Sequence, residues 1–305
     1  MTEIVPTQEG VISYRNHDLA YRIAGEGEAE GSLPLLVLHG GPGASYDYLR
    51  PLENLAQRGR RVIFYDQLGS GRSDHPDDPS LWTVDYYVAE IEGVREALGL
   101  ERIHLLGHSW GGMLGMEYAL TQPDGLESFT IASSPASAPL WVSEANRLLS
   151  ELPWDIQDTI RQHEAAGTID SPEFQAASLQ FYQRHVCRLN PWPPYVTRSF
   201  EFLAKYPQVY NAMQGHSEFV ITGSLKDWDV TSRLKEITVP VLITSGGFDE
   251  ATPSVAGAVH SAIQGSQWIL FENSAHMAHA EETERYMQVL GEFLGRVEQK
   301  DVGGQ

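Results

Sequence analysis

Cysteine is nearly absent: one residue in 305, Cys187, so no intrachain disulfide can form. That thiol is expected to be partly buried in a helix. Basic residues are also scarce. The 21 Lys and Arg stand against 41 Asp and Glu, a formal charge of −20. Binding phosphates needs a basic face, which argues against nucleic acid as a partner and equally against an anionic membrane surface. The acidic surplus serves solubility first, though it would also draw in a small cationic substrate. Long apolar runs are missing, and no stretch approaches the roughly 18 uninterrupted apolar residues of a membrane-spanning helix. The start, MTEIVPTQEG, has acidic residues and no basic region ahead of an apolar one. That pattern argues against a secretory leader and gives a cytoplasmic expectation. No Cys, His or carboxylate cluster has metal-ligand spacing, so neither a metal nor another cofactor is expected.

What is present is an ordinary globular composition, 42% hydrophobic and 20% charged. VISYRNHDLAYRIAG alternates apolar and polar residues around Asn16, His17 and Asp18, which predicts an antiparallel hairpin. Short apolar runs follow: LPLLVLHGG, RRVIFYDQLG, RIHLLGHS and LESFTIASS. Each reads as a buried strand. Segments with helical spacing lie between them: YDYLRPLENLAQRG, TVDYYVAEIEGVREALG and WGGMLGMEYALTQP. Such alternation predicts an α/β fold, a mostly parallel sheet with helices on both faces.

The alternation breaks after about Ser134 and resumes at VPVLITSGG. The intervening stretch is rich in Trp, Tyr, Phe, Gln and Pro and has helical patterns. Because the sheet pattern stands on both sides of it, the expected organisation is one core, residues 1–135 and 235–305. A helical cap, 136–234, is inserted before the last strands.

IHLLGHSWGGMLGMEYAL, residues 103–120, holds the first chemical signal. Gly107, Ser109 and Gly111 form G-x-S-x-G, between a strand and a helix. A backbone turning that sharply presents the serine at the sheet edge, and glycines two residues either side relieve the crowding. The amides that open the next helix can stabilise developing negative charge. Ser109 is therefore the candidate nucleophile.

A hydroxyl needs a base, and the base a carboxylate to orient it. Strand–turn–helix serines of this type are followed in the chain by the acid and then the histidine. VLITSGGFDEATP ends a strand with Asp249, and WILFENSAHMAH ends one with His276. Asp249 is preferred to its neighbour Glu250 because it comes first after the strand. His276 is preferred to His279, which falls where the closing helix should start and reads as a surface or capping residue. LHGGPG, residues 38–43, supplies the third part. Its glycines let amides approach a substrate oxygen and Pro42 stiffens the loop. The expected oxyanion donors are the N–H groups of Gly41 and Trp110, with Gly40 beside them on the substrate side. YDQLGSGRS, residues 65–73, reads as a structural turn with Asp66 bonding loop amides.

With these pieces the chain resembles an α/β-hydrolase, and more narrowly the proline iminopeptidases and related amino-acid amidases. The resemblance spans nearly the whole chain: HGGPG at 39–43, YDQLGSGRS at 65–73, GHSWGG at 107–112, GFDEATP at 247–253 and SAHM at 274–277. The stretch MQGHSEFVITGSLKDWDVTSRL, 213–234, is similar to that family's cap. The resemblance implies that Glu218 and Glu250 hold a substrate's free α-ammonium, since an ammonium in a dry pocket needs anionic partners. A proline ring or small apolar side chain would lie against apolar walls, Trp110 among them. The expected substrate is a small molecule or short peptide with a free amine.

Two other readings stand beside it: a carboxylesterase or lactonase using the same serine without the ammonium grip, and a non-enzymatic binding module. Glu218 and Glu250 separate the first from the aminopeptidase reading; the complete serine, acid, base and oxyanion set weighs against the second.

Overall fold

The computed structural model describes residues 5–302. The first four residues, which carry part of the leader argument, lie outside that range. The strands are β1 (Thr7–Tyr14), β2 (His17–Ala24), β3 (Leu35–Leu38), β4 (Val62–Tyr65), β5 (Ile103–His108), β6 (Leu126–Ala132), β7 (Val241–Gly246) and β8 (Gln267–Phe271). They form one sheet in the order β1-β2-β4-β3-β5-β6-β7-β8. The first two pairings in that order are antiparallel and the rest parallel.

The central strands β3, β4, β5 and β7 are buried along their whole length because both faces are covered. Along β3, Leu36 and Leu38 enter one core while Leu35 and Val37 enter the other. The first core is completed by α1 (Val84–Ala97), α2 (Trp110–Leu120) and α8 (Pro253–Ala262). The second is completed by a 3₁₀ stretch, Tyr46–Arg58, and by α10 (Thr283–Val302). A four-residue helix, α9 (Ala278–Glu281), precedes α10. The 3₁₀ form at 46–58 departs from simple helical spacing. Pro51 lies inside it, without an N–H to donate and with a ring that crowds the carbonyl four residues back.

The hairpin forms one step earlier than the sequence implies. Arg15 and Asn16 take the turn with φ of 49° and 66°, and His17 already pairs with Tyr14.

Between β6 and β7 lie α3 (Ala138–Ser150), α4 (Trp154–Ala166), α5 (Pro172–His185), α6 (Pro194–Lys205) and α7 (Gln208–Met213). Pro153 separates α3 from α4, and Gly167, at φ 67°, ends α4. Leu148, Ile160, Phe174, Phe181 and Phe219 make a small core of their own. The chain enters and leaves this region side by side: Ser137 bridges Asp229, and the Val230 N–H donates to the Ala136 carbonyl at 2.9 Å. Cys187 departs from expectation. It lies past the end of α5 rather than within a helix, fully buried, and burial pushes its thiol up to about 12. Among the described residues, no helix is long and apolar enough to cross a membrane.

Candidate active site

β5 delivers Ser109 directly into α2. Ser109 sits at φ 57° and ψ −124°, a conformation that costs a non-glycine residue on the order of 1–3 kcal/mol. Its neighbours make the turn possible. A Cβ at Gly107 would overlap the Gly111 carbonyl, and one at Gly111 would overlap that of Leu38. The Ser109 N–H donates to the Ala132 carbonyl at 2.9 Å, and its own carbonyl accepts from Gly112 at 2.8 Å. The serine side chain makes no cap bond to the helix.

Asp249 follows β7 and is held by backbone. One of its oxygens, Oδ1, accepts from the Ala251 N–H at 2.8 Å; the other, Oδ2, accepts from Gly246 at 3.2 Å. Oδ1 also meets His276 Nδ1 at 2.7 Å. A carboxylate there places the imidazole proton on Nδ1 and leaves Nε2 with its lone pair toward the cavity. Glu250 lies on the opposite side of the ring, its Oε1 3.7 Å from Nε2. The end of α5 ties the two turns together: the His185 carbonyl accepts from Glu250 N at 3.1 Å and from His276 N at 3.2 Å. His279 is not at the surface. It is 1% exposed, and its Nε2–H donates to the Tyr48 carbonyl at 3.0 Å. The closing helix starts later than the apolar pattern implies, at Thr283, so α9 tucks this ring inward.

The loop after β3 turns at Gly41, φ 114°, which lines the cavity. Gly40 is occupied differently from expectation. Its N–H donates to the Tyr48 hydroxyl at 2.8 Å, and a Cβ there would stand 2.9 Å from Ser109 Cβ. It lets loop and serine approach each other and is not among the residues that line the cavity. Trp110 is the first residue of α2, so its N–H has no carbonyl one helical turn back. Its indole N–H donates to Gln67 Oε1 at 2.9 Å. Asp66 bonds loop amides as expected, accepting from Tyr46 N and Arg72 N at 2.9 Å each. Burial raises its carboxyl to about 6. The Gln67 contact was not legible, because nothing in YDQLGSGRS sets it apart from a structural turn.

These groups meet at a cavity of about 450 Å³. Ser109, Trp110, Gly41 and His276 line its floor; Trp141, Tyr182, Phe200, Leu203 and Ile221 supply apolar wall. The latter come from scattered positions of the inserted region, and no local pattern marks them. Glu218 and Glu250 line the same space. Tyr210 donates its hydroxyl to Glu218 Oε1. Oε2 of Glu250 is buried without a partner. Burial, then the charges of Glu218 and Asp249, push the Glu250 carboxyl well above the usual range. Burial also raises Glu218, opposed by the Tyr210 bond and by His276. Among the described residues, no group of three or more His, Cys, Asp or Glu is placed to hold a metal ion.

The family profile of the α/β hydrolase fold matches residues 34–283. The proline iminopeptidase of Saccharolobus solfataricus is 45% identical over 264 residues, 86% of this chain and 85% of that protein. The proline iminopeptidase of Heyndrickxia coagulans is 45% identical over 276 residues, 88% of this chain and 93% of that one. The crystal structure of proline iminopeptidase from Mycobacterium smegmatis superposes with a TM-score of 0.90 at 39% identity, covering 96% of this chain and all of that one. Fold, motif order and relatives of this similarity agree, and the chain belongs to the proline iminopeptidase family of the α/β hydrolase fold.

Proposed function

We propose that this protein is a serine aminopeptidase that releases an N-terminal proline, or another small apolar residue, from short peptides and aminoacyl amides. The observation that carries the reading is the carboxylate pair, Glu218 and Glu250, on the wall of the cavity that holds Ser109 and His276. Two buried acids, one with an oxygen lacking any partner, make a site in want of a cation. A substrate ammonium fits that want. The surrounding wall suits an apolar ring.

In this reading Ser109 Oγ attacks the scissile carbonyl while its proton passes to His276 Nε2. Asp249 keeps the imidazole in the tautomer that can receive it. The N–H groups of Gly41 and Trp110 stabilise the oxyanion. As the tetrahedral intermediate collapses, the C–N bond breaks and the proton moves from Nε2 to the leaving amine. Water, deprotonated by the same nitrogen, then cleaves the acyl ester and restores Ser109. Residues 136–234 act as the cap that closes the amine end, so one register is reached and one residue leaves.

The test compares prolyl arylamide, its N-acetyl derivative and a small neutral aryl ester. Acetylation is expected to abolish turnover while the ester is still cleaved. Equal turnover of the free and acetylated arylamides would leave an esterase or lactonase as the better reading.

A further inference from the structure

We propose that Tyr48 and His108 form a positioning pair that holds the oxyanion loop, the serine turn and the base turn in register. The proposal rests on Ser109 and His276 being nucleophile and base. Both residues border the cavity beside Ser109 and are almost wholly buried, with Tyr48 4% and His108 1% exposed.

Hydrogen-bond accounting fixes every direction. His108 Nε2 lies 2.8 Å from the His276 carbonyl, which can only accept, so Nε2 carries a proton. Burial, then the neighbouring His276 and His279, hold His108 well below the usual imidazole range, so the ring is neutral. Nδ1 is then an acceptor, and the Tyr48 hydroxyl at 2.8 Å donates to it. The same hydroxyl oxygen accepts the Gly40 N–H at 2.8 Å. The result is one directed chain: Gly40 N–H to Tyr48, Tyr48 to His108, His108 to the His276 backbone. It joins the residue before Gly41, the residue before Ser109 and the base itself. Catalysis depends on the mutual placement of these three segments, and a misplacement of ~1 Å can cost about 100-fold in rate. Neither side chain need touch substrate. His279 closes the arrangement from behind, with its ring centroid 5.1 Å from that of His108.

Tyr48→Phe removes a single oxygen and keeps the ring. It leaves the Gly40 N–H and His108 Nδ1 unpaired. The expected result is a kcat about 10- to 100-fold lower with KM for prolyl arylamide unchanged. Covalent labelling of Ser109 by a fluorophosphonate should slow in step, because that reaction needs oxyanion donors and base but no amine. At position 108, Gln keeps one donor and one acceptor, whereas Leu keeps neither. His108→Gln should retain most of the activity and His108→Leu should match Tyr48→Phe. The double variant Tyr48→Phe/His108→Leu should be no worse than either single one, since both break one chain. Wild-type kcat in folded Tyr48→Phe would overturn the proposal. Should that variant not fold, identical kcat in His108→Gln and His108→Leu would overturn it instead. Wild-type enzyme that resists the label entirely would strike at the assignment of Ser109, not at the positioning pair.

Discussion

The two walls of the cavity are built by different means. The sheet wall is made of strand-end turns fixed by backbone groups: Ser109 by Ala132 at the end of β6 and by Gly112, Asp249 by Gly246 and Ala251. The opposite wall is made of side chains from α3, α5, α6 and α7 and the segment after them, and it is largely apolar. The seam between them carries apolar packing, with Val209, Met213 and Ile221 in one core and Val186 and Val196 in the other, and a few polar bonds. Ser199 of α6 meets Ser45, Glu144 of α3 accepts from Thr252 at 2.6 Å, and Trp228 donates to Glu117 at 2.8 Å. Bond-making chemistry tolerates little displacement, and backbone at a strand end supplies that rigidity. Recognition of an apolar ring asks only for volume and dryness, which many side-chain sets provide. The α5 end crosses this division, since its last carbonyls hold the acid and base turns.

If the division is real, a change to the sheet wall should act on every substrate alike. Ser109→Ala is expected to lower turnover of arylamide and ester by the same large factor, ~10⁴ or more. The fold should survive, because the serine side chain makes no cap bond. His276→Ala should be as damaging. Steady-state rates on both substrates, with circular dichroism as a control, check this. Wild-type-like turnover by a clean Ser109→Ala preparation would remove the serine assignment.

A change to the amine end should discriminate. Glu218→Gln and Glu250→Gln are each expected to lower kcat/KM for a free-amine arylamide at least ~30-fold, on a cost of about 2–5 kcal/mol for an unpaired buried charge. The neutral ester should be spared. Comparable losses on both substrates would mean that the acids hold the site together and do not read the amine.

Acidity should sharpen the same contrast. The site raises both glutamates, so each takes up its proton at a pH above the 4.5 of an ordinary glutamate. The protonated pair offers no charge to an ammonium. KM for the free-amine substrate should therefore climb as pH falls, beginning above 4.5, while KM for the ester stays flat. Parallel KM profiles for the two substrates would break the link between the carboxylates and the amine.

The same division explains what the sequence alone makes legible. HGGPG, GHSWGG, GFDEATP and SAHM are short, each ends a strand, and each acts through backbone that its own residues determine; strand ends in a parallel sheet gather at one edge. So the convergence of Ser109, Asp249 and His276 at one edge was legible from local pattern. The Tyr48–His108 chain was not, because it joins residues 60 apart in sequence through side-chain geometry. The burial of His279 was not legible because the apolar pattern does not show that a one-turn helix precedes α10. Trp141, Tyr182 and Phe200 carried no signal, since an aromatic residue in an amphipathic helix looks the same facing a core or a pocket. Glu218 stood out only through family resemblance.

The smallest expected effect lies at the seam. Ser199 Oγ accepts the Tyr48 N–H at 3.1 Å, meets Ser45 Oγ at 3.0 Å and donates to the Ser45 carbonyl at 3.1 Å. One hydroxyl thus seats α6 against the 3₁₀ stretch that follows the oxyanion loop. Ser199→Ala leaves the Tyr48 N–H buried without that acceptor, at a cost of about 1–3 kcal/mol. Part of this should appear as a lower Tm. The rest should fall on how firmly the apolar wall is seated, and so on substrate binding. KM for prolyl arylamide is expected to rise by no more than about tenfold, equivalent to ~1.4 kcal/mol, with kcat kept. The small ester, which leans little on that wall, should show neither change. Measuring kcat and KM separately on both substrates decides the matter. A fall in kcat on the ester would show that the seam transmits to the strand-end turns, and that chemistry and recognition are not carried by separable walls.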